Sequence, residues 1–225
     1  MTPDTSVHET LKAIAASVYD GNHTRVPSLV ASALEAGASP AAVLSEGLIR
    51  GMDRVGVDFR DAVIFVPEVL VAARAMKAGM AVLAPHLSAS EAHSSGSCVL
   101  GTVEGDLHDI GKHLVAIMME GAGFSVTDLG IDVAPAAFVE AVRQHRPDIL
   151  GMSSLLTTTM GAMAATIEKL GAEGLRSAVI VMVGGAPVTQ DFAKRIGADG
   201  CAPDAASAAV LAGRLLRQRR GGAQA

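Results

Sequence analysis

The sequence contains few aromatic residues and little charge, and its charge is not of the sign that nucleic acids attract. Only 3% of its 225 residues are aromatic, with no tryptophan and one tyrosine, so it lacks the stacking platforms that single-strand-binding proteins use. The net charge is −5 and no basic stripe is present, which argues against nucleic acid as a partner. Because half of the residues are hydrophobic and 18% are charged, we expect a globular protein rather than a disordered one.

Cysteine is also scarce. The two cysteines, Cys98 and Cys201, lie in apolar segments that predict buried strands, and they do not form a C-x-x-C pair. We therefore expect reduced core thiols rather than a disulfide or metal ligands. The first residues, MTPDTSVHET, do not have the pattern of a secretory signal, and no hydrophobic run is long enough for a transmembrane helix. These features predict a cytoplasmic protein that has no membrane partner.

Residues 1–84 predict helices alone. Apolar residues recur at helical spacing in four segments, near residues 11–18, 26–34, 43–59 and 67–80. The third helix opens at Ser39-Pro40, with serine as the N-cap and proline at the first helical position. Because the joins are short, we expect a four-helix bundle.

The rest of the chain predicts an α/β domain. Residues 85–96, rich in serine and alanine, predict a linker. In residues 97–225, five short apolar runs alternate with helical segments, and the runs predict strands at 97–103, 124–129, 148–153, 178–184 and 199–202. Such apolar strands indicate a parallel sheet that is covered on both faces. We expect the flavodoxin-like (Rossmann-like) strand order 2-1-3-4-5.

The candidate site lies in the segment Gly101–Val115, GTVEGDLHDIGKHLV, where the first predicted strand leads into a helix. Open α/β sheets bind their ligands at this end of the strands. A phosphate-binding loop is excluded for two reasons. The spacing from Gly105 to Gly111-Lys112 is one residue too long, and His113 replaces the hydroxyl that would bind magnesium.

Two interpretations of His108 remain open on the residues alone. In the first, it is a structural or solvated histidine at the start of a helix. In the second, one ring nitrogen of His108 ligates a metal, and Asp106 accepts a hydrogen bond from the other nitrogen. Gly111 would then allow a bulky group to approach the backbone closely.

Three segments resemble those of cobalamin-binding proteins, and they occur in the family's order. Asp106-x-His108-x-x-Gly111 matches the D-x-H-x-x-G motif, and GTVEGDLHDIGK is similar to the corresponding segment of corrinoid methyltransferases. MSSLLTTTM, residues 152–160, resembles the family's S-x-L segment, and VGGAPVT, residues 183–189, resembles its G-G segment. The chain is thus similar to the small methyl carriers of methanol, methylamine and methoxyarene methyltransferase systems. It is also similar to the cobalamin-binding module of methionine synthase.

The resemblance implies that the protein binds cobalamin, as methylcobalamin or a related corrinoid, in the base-off, His-on form. His108 would be the lower axial ligand of cobalt, Asp106 its hydrogen-bond partner, and Thr159 a hydroxyl that extends the His–Asp chain. Cobalt takes the methyl group as Co(I) and gives it up as methyl-Co(III). Because Co(I) prefers no axial ligand and methyl-Co(III) prefers one, the resemblance implies that His108 detaches and reattaches in each cycle.

The resemblance also implies contacts to the corrin and to its nucleotide tail, which would enter a narrow slot in the α/β domain. Ser153 and Thr157 would bond the polar edge of the tail and Leu155 would pack on its ring, although serine and threonine there also suit a helix start. The other expected contacts are Gly105, Asp106, Leu107, Asp109, Ile110, Gly111, Gly184, Gly185 and Ala205.

The helical bundle is expected to cap the corrin through Phe65. This residue and Pro67 match an F-L-P segment of the family, in which Val66 replaces the leucine.

The function implied is that of a shuttle subunit without a substrate pocket of its own. It would serve a substrate:corrinoid methyltransferase, an acceptor methyltransferase acting on a thiol or folate, and a reductive activase. A mutase cofactor subunit shares the motif but lacks the helical cap. A cobalamin sensor would have to act through a protein partner, because the bundle and the sheet leave no room for a DNA-binding module.

Overall fold

The computed structural model describes residues 3–87 and 95–222. The chain forms two compact units, residues 1–94 with 121–123, and residues 95–120 with 124–225. Most of the expected linker, residues 88–94, lies outside the described residues.

The first unit is helical, as the apolar spacing predicts. Its helices are α1 (Pro3–Tyr19), α2 (Arg25–Glu35), α3 (Pro40–Ala42), a π-helix (Val43–Ile49), α4 (Arg50–Arg60), α5 (Val66–Leu83) and a 3₁₀ turn (Ala84–His86). Ser39 caps α3, since its Oγ accepts a hydrogen bond from the Ala42 N–H at 3.2 Å. The π-helical segment within the third predicted helix was not predicted. The core includes Ile14, Val18, Val26, Val30, Leu48, Met52 and Leu83.

The second unit is a five-stranded parallel sheet with helices between the strands. The strands are β1 (Gly96–Thr102), β2 (Phe124–Asp128), β3 (Ile149–Ser153), β4 (Ile180–Gly184) and β5 (Gly200–Ala202). The helices are α6 (Ile110–Gly121), α7 (Pro135–His145), α8 (Gly161–Ala172), a 3₁₀ turn (Arg176–Ala178), α9 (Gln190–Ile196) and α10 (Ala205–Gly222). The order β2-β1-β3-β4-β5 confirms the predicted topology.

The central strands are buried, as a parallel sheet covered on both faces requires. Phe138 from α7 and Met163 and Leu170 from α8 are fully buried in one cluster with Leu150 and Val181 of the sheet. Cys98 and Cys201 are free and buried, as predicted, and burial raises the pKa of the Cys98 thiol to about 12. Among the helices of the described residues, none has both the length and the apolar character needed to span a bilayer.

The strand register aligns one row of residues across the carboxyl edge of the sheet. Thr102 of β1 is paired with Ser153 of β3, Ser153 with Gly184 of β4, and Gly184 with Ala202 of β5. The chain leaves β1 for β2 on one side, while β3 pairs with β1 on the other, so the order reverses at β1. Ligands of open α/β sheets bind at such a switch point.

Candidate functional site

The loop that carries His108 follows β1 and is held at both ends. Asp106 N–H donates to the Val103 carbonyl at 3.1 Å, and the Thr102 hydroxyl donates to the His108 carbonyl at 2.9 Å. Because β1 is buried, the loop is fixed to a rigid strand and His108 is presented from that support.

The Asp106 side chain is completely buried, and both its oxygens accept hydrogen bonds. Oδ1 accepts from the His108 backbone N–H at 3.0 Å and lies 2.7 Å from His108 Nδ1. Oδ2 accepts from the backbone N–H groups of Leu155 at 2.7 Å and Leu156 at 3.3 Å, and from the Thr159 hydroxyl at 2.9 Å. The carboxylate therefore joins the loop after β1 to the loop after β3.

These donors determine the charge of Asp106. Burial disfavours its ionised form, but the hydrogen bonds from His108, Leu155 and Thr159 outweigh burial and hold the pKa of the carboxyl well below its usual range. Asp106 is thus an anion at neutral pH, although it has no exposed surface.

Hydrogen bonding to this anion orients the His108 ring. A carboxylate is an acceptor only, so Nδ1 carries the proton of the neutral ring and Nε2 keeps its lone pair. The His108 side chain is 52% exposed. A ring held in this tautomer by a carboxylate has the arrangement found in histidines that ligate metals.

Ser154 extends the chain further, a role that the sequence did not predict, since only its neighbour Ser153 was expected in the site and there as a contact of the tail. Ser154 is completely buried, and its Oγ lies 2.8 Å from Thr159 Oγ1. The chain therefore runs His108–Asp106–Thr159–Ser154. The two adjacent serines were the only sequence signal, and nothing in their spacing identifies the one that faces Thr159.

Large apolar side chains are exposed in the His108 loop and in the loop that is hydrogen-bonded to Asp106. Leu107 is 65% exposed and Ile110 is 79% exposed, and both lie in the His108 loop or at its end. Leu155 and Leu156, whose N–H groups bind Asp106, are each 42% exposed. Clustered exposed apolar residues mark a binding surface. One imidazole nitrogen among apolar side chains fits a metal that is already held in a flat, largely apolar macrocycle.

The other predicted site residues lie at several positions in the two units. In the second unit, Ser153 and Gly184 belong to the row at the carboxyl edge of the sheet, Thr157 is exposed in the turn before α8, and Ala205 is the buried first residue of α10. Phe65 belongs to the helical unit, where it is 63% exposed before α5.

Three of the four predicted site glycines, Gly111, Gly184 and Gly185, differ in the space around them. A Cβ at Gly111 would meet no atom within 4 Å, and one at Gly184 would meet only the Ala202 carbonyl oxygen, at 3.7 Å. A Cβ at Gly185 would lie 1.8 Å from the Ser154 carbonyl oxygen. Gly185 is therefore required by backbone packing, whereas Gly111 and Gly184 have room for a methyl group.

An ion pair that involves a buried lysine fixes the helix that follows the loop. Lys112, in the first turn of α6, has a side chain only 2% exposed, and its ammonium group donates to Asp128 at the end of β2. Asp128 also accepts from the Gly130 N–H at 2.9 Å. Because the Asp128 carboxylate, whose side chain is 27% exposed, neutralises the buried Lys112 ammonium, the start of α6 is tied to the sheet.

Two family models match the chain. A B12 binding domain model matches residues 96–211, and a second model with the same description matches residues 10–84.

Relatives and solved structures agree with these matches. The chain is 43% identical over 185 residues to trimethylamine corrinoid protein 2 of Methanosarcina mazei. The aligned residues cover 81% of this chain and 85% of that protein. It is similar to a cobalamin-binding protein from Desulfitobacterium hafniense, with 34% identity and a TM-score of 0.76, over 91% of this chain and 97% of that one. It is also similar to a chain of the methanol:cobalamin methyltransferase complex MtaBC from Methanosarcina barkeri, with 30% identity and a TM-score of 0.82, over 96% and 85% respectively.

Proposed function

Because this chain belongs to the B12-binding corrinoid proteins, we propose that it carries a methyl group between two methyltransferases on the cobalt of a bound corrinoid. The observation that carries the proposal is the buried Asp106 carboxylate, which holds His108 Nδ1 at 2.7 Å and leaves Nε2 free on an exposed, apolar-rimmed loop. Membership of the family confirms the resemblance predicted from the D-x-H-x-x-G motif.

The bound corrinoid supplies a cobalt centre that accepts a methyl group from one partner and yields it to the next. His108 would hold this metal through Nε2, in the base-off, His-on form. Asp106 keeps the Nδ1 proton in place and raises the basicity of the ring. The Thr159 hydroxyl donates to Asp106 and would keep this carboxylate oriented toward a His108 ring that holds the metal.

We propose that the nucleotide tail enters beside the row at the carboxyl edge of the sheet. The space at Gly184 supports this position, since only the Ala202 carbonyl oxygen lies near its added Cβ. Ser153 and Thr157 would bond the polar edge of the tail, and Leu155 would pack on its ring. Gly105, Leu107, Asp109, Ile110, Gly111, Gly185 and Ala205 complete the proposed contacts.

Phe65 would contact the corrin from the helical unit. Its exposure supports this role, as does the bond from its N–H to Glu68 Oε2, 3.0 Å long, which fixes the backbone before α5.

The proposed partners are a substrate:corrinoid methyltransferase, an acceptor methyltransferase acting on a thiol or folate, and a reductive activase. The similarity to a chain of a methanol:cobalamin methyltransferase complex supports the first of these. Relatives named for trimethylamine and dimethylamine make methylamines the first donors to test. We also propose a cytoplasmic location, which the two free thiols suit.

The visible spectrum tests the ligand assignment. We expect the purified protein, reconstituted with methylcobalamin and desalted, to have a His-on spectrum and His108→Ala to have a base-off spectrum. His113→Ala is the matched control, because His113 is similarly exposed and also lies beside a carboxylate, that of Asp109. It is expected to resemble the wild type.

Each other outcome has a definite meaning. If the wild type retains no corrinoid, the proposed function is wrong. Identical spectra of wild type and His108→Ala would preserve cofactor binding but refute His108 as the ligand.

The carrier role needs a separate test. The reduced holoprotein is incubated with a substrate methyltransferase from the same genome and a ¹⁴C-methylated amine, then desalted. We expect label to stay with the holoprotein and to leave it when an acceptor methyltransferase and thiol are added. Apoprotein is the control. Cofactor binding without labelling by any methylamine, methanol, methoxyarene or betaine donor would favour the sensor or mutase alternatives.

A further inference from the structure

We propose that Asp132 is a positioning residue for the His108 loop, and that it acts through two hydrogen bonds to the Gly105–Asp106 segment. We call this pair of hydrogen bonds the bracket. The inference rests on the proposed His-on binding. Asp132 lies in the connection between β2 and α7, and no motif of the sequence singled it out.

Asp132 holds the loop at two points. Its carboxylate Oδ1 accepts a hydrogen bond from the Gly105 N–H at 2.7 Å. Its own backbone N–H donates to the Asp106 carbonyl at 3.1 Å. The two bonds enclose the Asp106 Cα, and so they fix the backbone from which the buried carboxylate projects toward His108.

The backbone of Asp132 is adapted to this task. Its φ is +54°, in the left-handed region that non-glycine residues seldom adopt. Such a conformation persists only where its surroundings require it, and it is often found at functional sites. Here it allows one residue to use its side-chain acceptor and its backbone donor on the same segment.

The rest of the connection is tied to the same part of β1. Thr102 N–H donates to the Gly130 carbonyl at 3.0 Å, and Val133 N–H donates to the Thr102 carbonyl at 2.9 Å. Val103 and Val133 form a parallel bridge. Asp132 therefore projects from a well-anchored segment, whereas Gly105, with φ +80°, lies in the segment that the bracket must hold.

The expected consequence concerns the geometry at His108. Without the carboxylate of Asp132, the Gly105 N–H loses its acceptor and the Asp106 backbone is held from one side only. The 2.7 Å contact between Asp106 and His108 Nδ1 then becomes less populated. A metal-binding histidine whose outer partners are loosened binds more weakly, by about tenfold or more.

Three substitutions separate the acceptor from the backbone conformation. Asp132→Asn keeps an Oδ1 acceptor and tolerates positive φ. Asp132→Gly removes the acceptor while relieving any strain. Gly130→Ala is the matched control, since it adds strain at φ +85° in the same connection, has no atom within 4 Å of its Cβ and leaves the bracket intact.

The first readout uses the cofactor-free protein. Amide exchange at Gly105, followed by NMR, is expected to be about tenfold faster in Asp132→Gly than in the wild type, because one hydrogen bond is lost. Asp132→Asn and Gly130→Ala are expected to match the wild type. Equal acceleration in Gly130→Ala and Asp132→Gly would refute the bracket, because general strain in the connection would explain it.

The second readout is the spectrum after reconstitution with methylcobalamin. We expect Asp132→Gly to lose part of its His-on signature and about tenfold in affinity, and Asp132→Asn to restore both. An unchanged spectrum in Asp132→Gly, or failure of Asp132→Asn to restore it, would refute the positioning role. A wild type that binds no corrinoid would instead refute the proposed function, while Gly105 exchange would still report on the bracket.

Discussion

Replacing Asp106 with alanine is expected to lower the free energy of unfolding by about 3 to 5 kcal/mol, the range typical of breaking a buried charged network. The carboxylate accepts from two backbone N–H groups in the loop after β3, from that of His108 and from the Thr159 hydroxyl. Alanine leaves these donors without an acceptor, and each buried unpaired donor costs about 1 to 3 kcal/mol.

Urea denaturation of the cofactor-free protein measures this effect without involving the corrinoid. Asp106→Asn is the closest isostere, since it keeps one acceptor oxygen but replaces the other with an NH2 group, which cannot accept a hydrogen bond. It is expected to fall between the wild type and Asp106→Ala. Asp191→Ala, which removes an exposed carboxylate in the first turn of α9, is the control and is expected to change stability by less than about 0.5 kcal/mol. If Asp106→Ala were as stable as this control, the network would have no structural role.

The same carboxylate predicts a dependence of stability on acid. The hydrogen bonds lower the pKa of Asp106 in the folded protein below that in the unfolded chain, so folding favours its ionised form. This contribution is complete above the unfolded pKa of about 3.9 and is lost as the pH falls toward the folded pKa. In a pH series of denaturation curves, Asp106→Asn is therefore expected to lose less stability than the wild type below about pH 4.

The sequence was sufficient to predict most of the fold because the relevant signals are local. Short apolar runs between helical segments predicted all five strands, and the parallel order followed from the general rules of open α/β sheets. The proximity of His108 and Asp106 could also be predicted, since a spacing of two residues in one loop keeps them within reach. These features depend on neighbours in the chain rather than on distant packing.

The family resemblance also implied Thr159, but the other contacts of Asp106 could not be predicted, because they depend on distant backbone positions. The prediction for Leu155 concerned its side chain, whereas its backbone N–H, which donates to Asp106 49 residues away in sequence, was not predicted. The bond from Gly105 to Asp132 forms only once the sheet brings their two loops together. Ser154 bonds Thr159 within one loop, but the conformation of that loop is not encoded by the spacing of the two residues. No residue type or spacing encodes a backbone donor at a given point in space, so the motifs indicated His108, Asp106 and Thr159 but not the backbone donors, Ser154 or Asp132.

The adjacent glycines at the end of β4 have different expected roles. Gly185 is required for folding, and Gly184 is proposed to leave room for the cofactor. Gly185→Ala is expected to lower the free energy of unfolding by more than about 4 kcal/mol. Its φ is +128°, and its added Cβ would lie 1.8 Å from the Ser154 carbonyl oxygen and 2.8 Å from the carbonyl carbon. Those atoms belong to the backbone, so no side-chain rotation relieves the clash. Thermal denaturation should register this as a loss of about 10 °C or more, or as a failure to fold.

Gly184→Ala is the matched control, and it is expected to leave stability unchanged but to weaken cobalamin binding. The nearest atom to its added Cβ is the Ala202 carbonyl oxygen at 3.7 Å, an ordinary contact, so its melting temperature should match that of the wild type. If the nucleotide tail enters beside this residue, the methyl group narrows the slot, and cobalamin affinity should fall about tenfold, as overpacking of 1 to 3 kcal/mol implies. A stable Gly184→Ala that binds cobalamin as tightly as the wild type would contradict the proposed position of the nucleotide tail beside β4. A stable Gly185→Ala would contradict the close approach of the loops after β3 and β4.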